Sequence, residues 1–265
     1  RLDGIDLSDF AGYSVSGAGD VNGDGIDDLL IGATGGDTNV AGRADAGESY
    51  VVFGSRSAFT SPLDLSTLNG VNGFRLNGAV AGDGSGHSVS SAGDFNGDGI
   101  ADMIVGADLA DVQGRTDAGA AYVVFGTTTL NSGNVRLDLL NGGNGFRISG
   151  AVAADKLGSS VSAAGDINGD GFDDVILGAY YANIDGALGR KGASCVVFGR
   201  SGSVGSGQID LNGLTSTDGF RIDGLNGGDY AGRSVAGGGD INGDGFDDLI
   251  VGAAGGDPAS RNNAG

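Results

Sequence analysis

The stretch AGDVNGDGIDDLLIGA, residues 18–33, places four carboxylates, Asp20, Asp24, Asp27 and Asp28, directly before a run of apolar residues. Like charges at that density repel one another unless something positive lies among them. The stretch returns as AGDFNGDGIADMIVGA from Ala92, AGDINGDGFDDVILGA from Ala164 and GGDINGDGFDDLIVGA from Gly238. Its first aspartates, Asp20, Asp94, Asp166 and Asp240, are spaced by 74, 72 and 74 residues. A fixed period of this length is the mark of an array of supersecondary units.

Other segments keep the same phase. YVVFG from Tyr50 recurs from Tyr122 and becomes CVVFG from Cys195, and GFRLNG from Gly73 recurs as GFRISG from Gly145 and GFRIDG from Gly219. Each unit therefore offers four short strands; in the second they are residues 87–93, 101–107, 120–126 and 145–150, with Gly, Asn and Asp clustered between them as turns require. No segment sustains a 3.6-residue apolar period, so helices are incidental. Repeats of four strands, none able to enclose a core alone, predict an all-β fold, a β-propeller of four-stranded antiparallel blades with about four blades in this chain. SVSGAG and its copies are small enough for a crowded strand beside a central axis, DLLIG and YVVF are apolar on both faces, and the arginine of GFRI suits an outer strand.

The expected divisions of this partial propeller over 1–265 are an outer strand and linker of a preceding blade (1–10), blades at 11–78, 85–150 and 158–224, and an incomplete blade at 232–265 that stops before its third strand. An open blade of that kind leaves unpaired edges, so the chain reads as a piece of a longer protein.

Composition narrows the partners. A net charge of −20 sets the chain against nucleic acid and anionic lipid, and no run of 18 apolar residues is present to insert into a membrane. With one cysteine, Cys195, no disulfide forms within the chain. Residues 1–10 lack the regions of a signal peptide, so an export signal, if there is one, lies outside this sequence. Cations are the partners that such a charge favours.

Within each acidic segment, positions one, three, five and nine are Asp20, Asn22, Asp24 and Asp28; Asp94, Asn96, Asp98 and Asp102; Asp166, Asn168, Asp170 and Asp174; and Asp240, Asn242, Asp244 and Asp248. Alternate residues converge when the chain curls, and the main-chain carbonyl of position seven, Ile26, Ile100, Phe172 or Phe246, adds another oxygen. Ca²⁺ takes six to eight such ligands, whereas Mg²⁺ demands a rigid octahedron and keeps its water. About four Ca²⁺ sites are therefore expected, one per loop. The loop shares its first half with an EF-hand, but position twelve is Ile31, Val105, Leu177 or Val251 instead of a bidentate glutamate, and the aspartate at nine closes the site. Position eight is Asp27, Asp173 or Asp247 but Ala101 in the second copy, so these aspartates are read as solvated charges and not as ligands.

The small strand, the acidic loop and the strand ending in Gly-Ala, repeated four times, resemble FG-GAP repeats, the blade unit of the integrin α-subunit propeller and of many bacterial surface proteins. The Phe-Gly element is loose (Phe10, Gly84, Lys156 and Tyr230 in turn), and the proline of Gly-Ala-Pro is replaced by Thr34, Asp108, Tyr180 and Ala254, which points to a divergent bacterial-type member. The resemblance implies a seven-bladed ring, calcium loops on one face, and adhesive or scaffolding roles outside the cell. Extracellular modules bind Ca²⁺ at about 10⁻⁴ to 10⁻³ M, so such sites fill only outside the cytosol.

The expected function is accordingly an extracellular, calcium-binding module for adhesion or protein or glycan interaction at the cell surface, its partners being the remaining blades of the same protein and a ligand on the face opposite the calcium loops. That face carries the variable loops at 34–47, 108–119 and 180–192; the calcium face carries the connection at 54–72. The Arg43-Ala-Asp45 and Arg115-Thr-Asp117 triplets superficially echo Arg-Gly-Asp. A purely structural, calcium-stapled surface or matrix component is the alternative. A glycan-acting enzyme is the weakest reading and the chain is taken as no enzyme, because His87, the one histidine, aligns with Tyr13, Ser159 and Arg233, and Cys195 replaces a tyrosine in an apolar strand.

Overall fold

A computed structural model describes residues 1–37, 42–59, 61–129, 133–183 and 189–256. Its strands are β1 (Leu2–Asp3), β2 (Ser14–Gly19), β3 (Asp28–Ala33), β4 (Glu48–Val52), β5 (Leu63–Asp64), β6 (Gly73–Asn77), β7 (Ser88–Gly93), β8 (Asp102–Ala107) and β9 (Ala120–Val124). They continue as β10 (Asn134–Arg136), β11 (Gly145–Ser149), β12 (Ser160–Gly165), β13 (Asp174–Ala179), β14 (Ala193–Val197), β15 (Gln208–Asp210), β16 (Gly219–Asp223), β17 (Ala231–Gly239) and β18 (Asp248–Ala253). Four antiparallel sheets result, β2-β3-β4-β6, β7-β8-β9-β11, β12-β13-β14-β16 and β17-β18, one per repeat. The small strands β2, β7, β12 and β17 stand side by side in chain order, as the inner strands of consecutive blades do. The fold is a partial β-propeller.

The core lies between the blades and not within them. Along β8, Met103 and Val105 pack with Leu30, Val51 and Phe74 of the first sheet, while the intervening Ile104 packs with Val175 and Leu177 of the third. Alternation of side chains across a strand sends successive residues to opposite interfaces, so both faces are apolar and β8 and β13 are buried at every position. Phe146, fully buried among Phe95 and Phe125, does the same for the second interface.

One feature departs from the four-strand expectation. The connection between the third and fourth strands is itself partly strand: β10 pairs in parallel with β6, and β15 in parallel with β11, so each of the first two sheets gains a fifth strand from the following repeat. The GFRI strand is therefore not outermost there, and its arginine reaches the added strand, Arg75 Nε donating to Asn134 Oδ1 at 3.1 Å and Arg147 Nη2 to Gln208 Oε1 at 2.8 Å. β1 pairs with β5 in the same parallel sense, so Leu2–Asp3 stands to β5 as β6 stands to β10. The blade divisions themselves remain a proposal, and residues 257–265 of the last one lie outside the described residues.

A second recurring device fixes the spacing of blades. A side chain at Gly106 would strike the carbonyl oxygen of Gly158 at 2.0 Å, and Gly32 and Gly178 face Gly86 and Gly232 in the same way. The glycines of the first three Gly-Ala pairs thus let the next blade's backbone approach, and Gly158 is held in its own blade by its N–H donating to Gly178 O at 3.0 Å.

Candidate metal centre

Each acidic loop joins the first and second strands of its sheet. It leaves through a bulge, where the register slips between Gly17 and Gly19 and at the three equivalent places. The last residue of the inner strand, Gly19, Gly93, Gly165 or Gly239, is left-handed with φ between 65° and 75°, a conformation glycine adopts without strain. The bulge turns the chain outward, and the ninth-position aspartate pairs directly across from that glycine at the start of the next strand.

Inside the loop the carboxylates turn onto its own backbone. In the first, Asp20 Oδ1 accepts from Asp24 N–H at 3.0 Å and Oδ2 from Gly25 N–H at 2.7 Å. Asn22 Oδ1 accepts from the same Asp24 N–H at 2.8 Å, and Asp24 Oδ1 from Ile26 N–H at 2.9 Å. The second loop repeats all four bonds through Asp94, Asn96 and Asp98, and the third repeats them through Asp166, Asn168 and Asp170. In the fourth, Asp240 and Asp244 hold Asp244, Gly245 and Phe246 N–H, while the Asn242 side chain turns instead to Asp248.

Position nine behaves differently. Asp28, Asp102 and Asp174 are buried, and each bridges two elements. Asp28 Oδ2 accepts from Val21 N–H at 3.0 Å and Oδ1 from Gly54 N–H, beyond β4, at 2.8 Å; Asp102 takes Asn96 and Gly126 N–H, and Asp174 takes Ile167 and Gly199 N–H. Burial raises their carboxyls, Asp28 and Asp174 to about 6 and Asp102 to about 7, partly offset by those amide bonds and reinforced by the loop's other aspartates. In the fourth loop Asp248 Oδ2 accepts from Ile241 N–H at 2.8 Å.

Among the described residues no three acidic, histidine or cysteine side chains are gathered closely enough to hold an ion as they stand. The donor set nonetheless fits a hard divalent cation in kind. All its atoms are oxygens, those of positions one and three meet on one amide hydrogen in the first three loops, and Arg43, Arg75, Arg115, Arg136, Arg200 and Arg221 all pair with other carboxylates. Asn22 and Asp24 line an open depression of about 610 Å³ together with Phe53, Gly54 and Asn72, which puts the acidic loop beside the connection at 54–72.

Two expectations for position eight are corrected. Asp173 Oδ2 accepts from Asp94 N–H at 2.7 Å, and Asp247 Oδ2 from Asp166 N–H at 2.9 Å, so both join neighbouring blades and are not free solvated charges. Asp27 is exposed. Position seven also reaches across: a methyl at Gly97 or Gly169 would collide with the ring of Phe172 or Phe246.

At the opposite end the loop before each third strand is laced to the turn after the fourth. Gly82, Gly84 and Ser85 N–H donate to Ala44, Asp45 and Ala46 O, and Ala154, Lys156 and Leu157 N–H donate to Thr116, Asp117 and Ala118 O. Parts of the variable loops, residues 38–41 and 184–188, lie outside the described residues. The Arg-x-Asp triplets are built into the fold. Arg43 makes a two-pronged pair with Asp138 at 2.9 and 2.7 Å, and Arg115 one with Asp210 at 3.1 and 2.9 Å. His87 sits 3.2 Å from Asp108 and 5.1 Å between ring centres from Tyr13, so it is a junction residue more than a free surface site. Cys195 is buried, its thiol pushed up to about 12 by desolvation.

The same end holds a series that the sequence reading missed. Asp9, Asp83, Asp155 and Asp229 keep the spacing of the acidic loops, and all four are buried. That shared 74, 72 and 74 rhythm was the signal available.

A family model described as FG-GAP repeat matches residues 11–52, 85–124, 157–194 and 231–265. The chain is 32% identical over 188 residues to Integrin alpha-PS5 of Drosophila melanogaster, covering 68% of this chain and 16% of that protein. It is 28% identical over 248 residues to Integrin alpha-5 of Xenopus laevis, covering 93% and 20%. It is 31% identical over 204 residues to Phosphatidylinositol-glycan-specific phospholipase D of Bos taurus, covering 76% and 22%. The chain spans less than a quarter of the length of each of these relatives. The chain belongs to the FG-GAP repeat family.

Proposed function

We propose that this FG-GAP chain is an extracellular calcium-binding propeller module that mediates adhesion, or another protein or glycan contact, at the cell surface. The residues that would hold the ions are the oxygens of positions one, three, five, seven and nine in each loop, Asp20 to Asp28 in the first and their equivalents in the others. A bound Ca²⁺ would supply the positive charge that these carboxylates lack. The observation that carries the reading is position nine: three buried aspartates, each holding the loop to the segment that follows the third strand and each raised by burial, in a chain of net charge −20. Sites of the extracellular class fill at about 10⁻⁴ to 10⁻³ M and would stand empty in the cytosol, which supports residence outside the cell.

Calorimetric titration with calcium chloride, paired with melting curves in calcium and in EDTA, tests the metal. At ten times the dissociation constant each filled site adds about 1.4 kcal/mol, so four sites raise Tm by roughly 10 °C in a chain of this size. No heat and an unchanged Tm at millimolar calcium would sink it. Adhesion is supported by the integrin names among the relatives and is tested by binding to cells, glycans and matrix proteins with and without chelator. Saturable calcium-dependent binding supports it; none on any surface leaves the structural reading. No helix of the described residues is long and apolar enough to cross a membrane.

A further inference from the structure

The eighth residue of each acidic loop lies between two expected ligands, the carbonyl of position seven and the carboxylate of position nine. In the third loop that residue is Asp173, and it grips the peptide of Asp94 from both sides: Asp173 Oδ2 accepts from Asp94 N–H at 2.7 Å, and Asp173 N–H donates to Asp94 O at 3.3 Å. Asp247 of the fourth loop grips Asp166 in the same way, at 2.9 and 3.3 Å. Asp94 and Asp166 are themselves the first ligands of the preceding loops. The rings of Phe172 and Phe246 add an apolar contact over Gly97 and Gly169.

The junction between the first and second loops is built differently. Ala101 N–H still donates to Asp20 O at 3.2 Å, but its side chain has no acceptor. The ring is replaced by Ile100, whose Cδ1 lies 3.9 Å from a methyl built on Gly23. One chain thus contains two strong links and one weak link between otherwise equivalent loops.

We infer that Asp173 and Asp247 are positioning residues that couple adjacent calcium loops, so that filling the third loop raises the affinity of the second and filling the fourth raises that of the third, while the first loop binds nearly alone. The inference rests on the calcium reading above. Ordering a loop around its ion fixes position eight, because its neighbours on both sides become ligands. A fixed position eight holds the next loop's first aspartate in place before its own ion arrives, and a site whose groups are already ordered binds more tightly. Repulsion between neighbouring ions opposes this and is screened by salt, so the coupling strengthens as ionic strength rises.

The test follows the backbone amide shifts of Gly25, Gly99 and Gly171 during calcium titration of the whole chain, which reads the first three loops separately. Weakening the third loop with Asp170→Ala lowers the second loop's affinity about 5-fold, and by less than 2-fold when Asp173→Ala is also present. Asp173→Asn, which keeps a carbonyl acceptor, retains most of the coupling. To separate coupling from any loosening of the fold by Asp173→Ala, Ala101→Asp provides the reverse: it gives the first loop a dependence on the second, seen when Asp98→Ala weakens the second. Loops that bind calcium with affinities independent of one another in the native chain overturn the coupling and leave the calcium reading intact; loops that bind no calcium overturn both.

Discussion

The two ends of the blades carry aspartates with the same spacing but place them in opposite surroundings. At one end Asp20, Asp94, Asp166 and Asp240 lie in half-exposed or exposed turns and bond to amides a few residues away. At the other, Asp9, Asp83, Asp155 and Asp229 are buried where one blade passes into the next. At the acidic-loop end the first, third and fifth residues bond within their own turn, an arrangement suited to accept an ion, while positions eight and nine reach other segments. The other end is built from bonds between distant parts of the chain and holds the blades together. What distinguishes the two series is not residue type but burial: Asp9 and Asp229 also accept from amides three residues away, Asp6 and Asn226 N–H, yet are buried.

The largest expected effect falls where the acidic loops meet the core. Asp102→Ala leaves Asn96 and Gly126 N–H without their acceptor, one of them buried, and costs about 3 kcal/mol in urea unfolding. If the cost falls below about 1 kcal/mol, the ninth aspartate does not tie the loop to the sheet. Next come paired glycines. Gly119 has φ of 79° and a methyl there would meet Leu157 O at 2.2 Å, so Gly119→Ala costs about 3 kcal/mol or less. Gly99 in the acidic loop has φ of 85° with open space around it, and Gly99→Ala costs about 1 kcal/mol. Equal costs would erase the contrast between a turn that faces solvent and one pressed against its neighbour.

A smaller effect is expected at the interblade pairs. Arg115→Ala removes the two-pronged bond to Asp210 and the bond to Ala151 O at 3.0 Å, for about 1 kcal/mol that shrinks in salt. The smallest concerns pH. Burial, assisted by Asp111 and opposed by Arg147, raises Asp83 to about 6 from an ordinary 3.8. The folded state therefore favours the protonated acid, and the stability this group contributes is present below about pH 4 and lost as pH rises through 6. Asp83→Asn mimics the protonated form, so it raises Tm relative to the native chain by more at pH 7.5 than at pH 4.5. A Tm difference that does not vary with pH would place Asp83 in contact with water.

Much of this was legible in the sequence because the signals are local. The DxNxDG turn, the glycine before it and the apolar strand after it are set by neighbouring residues, and four copies in phase made the blades and their inner strands readable. Strands β5, β10 and β15 were not, since two or three residues that pair in parallel with another repeat show no period of their own. Leu63-Asp64-Leu65, Val135-Arg136-Leu137 and Ile209-Asp210-Leu211 stand at one place in the repeat, but only the partner strand gives the first two residues of each an extended conformation. Asp173 shows the same limit. It shares the DGxDD motif of the exposed Asp27, and its role comes from Asp94, 79 residues away.

By itself the sequence determined the repeat, the all-β class and the residues of each acidic loop, because these depend on interactions within a few positions of one another. The tertiary structure decided which charges are buried, which arginines are already paired, and which aspartates join one blade to the next. Those properties follow from desolvation and from contacts between segments about 70 residues apart or more, and no spacing along the chain expresses them.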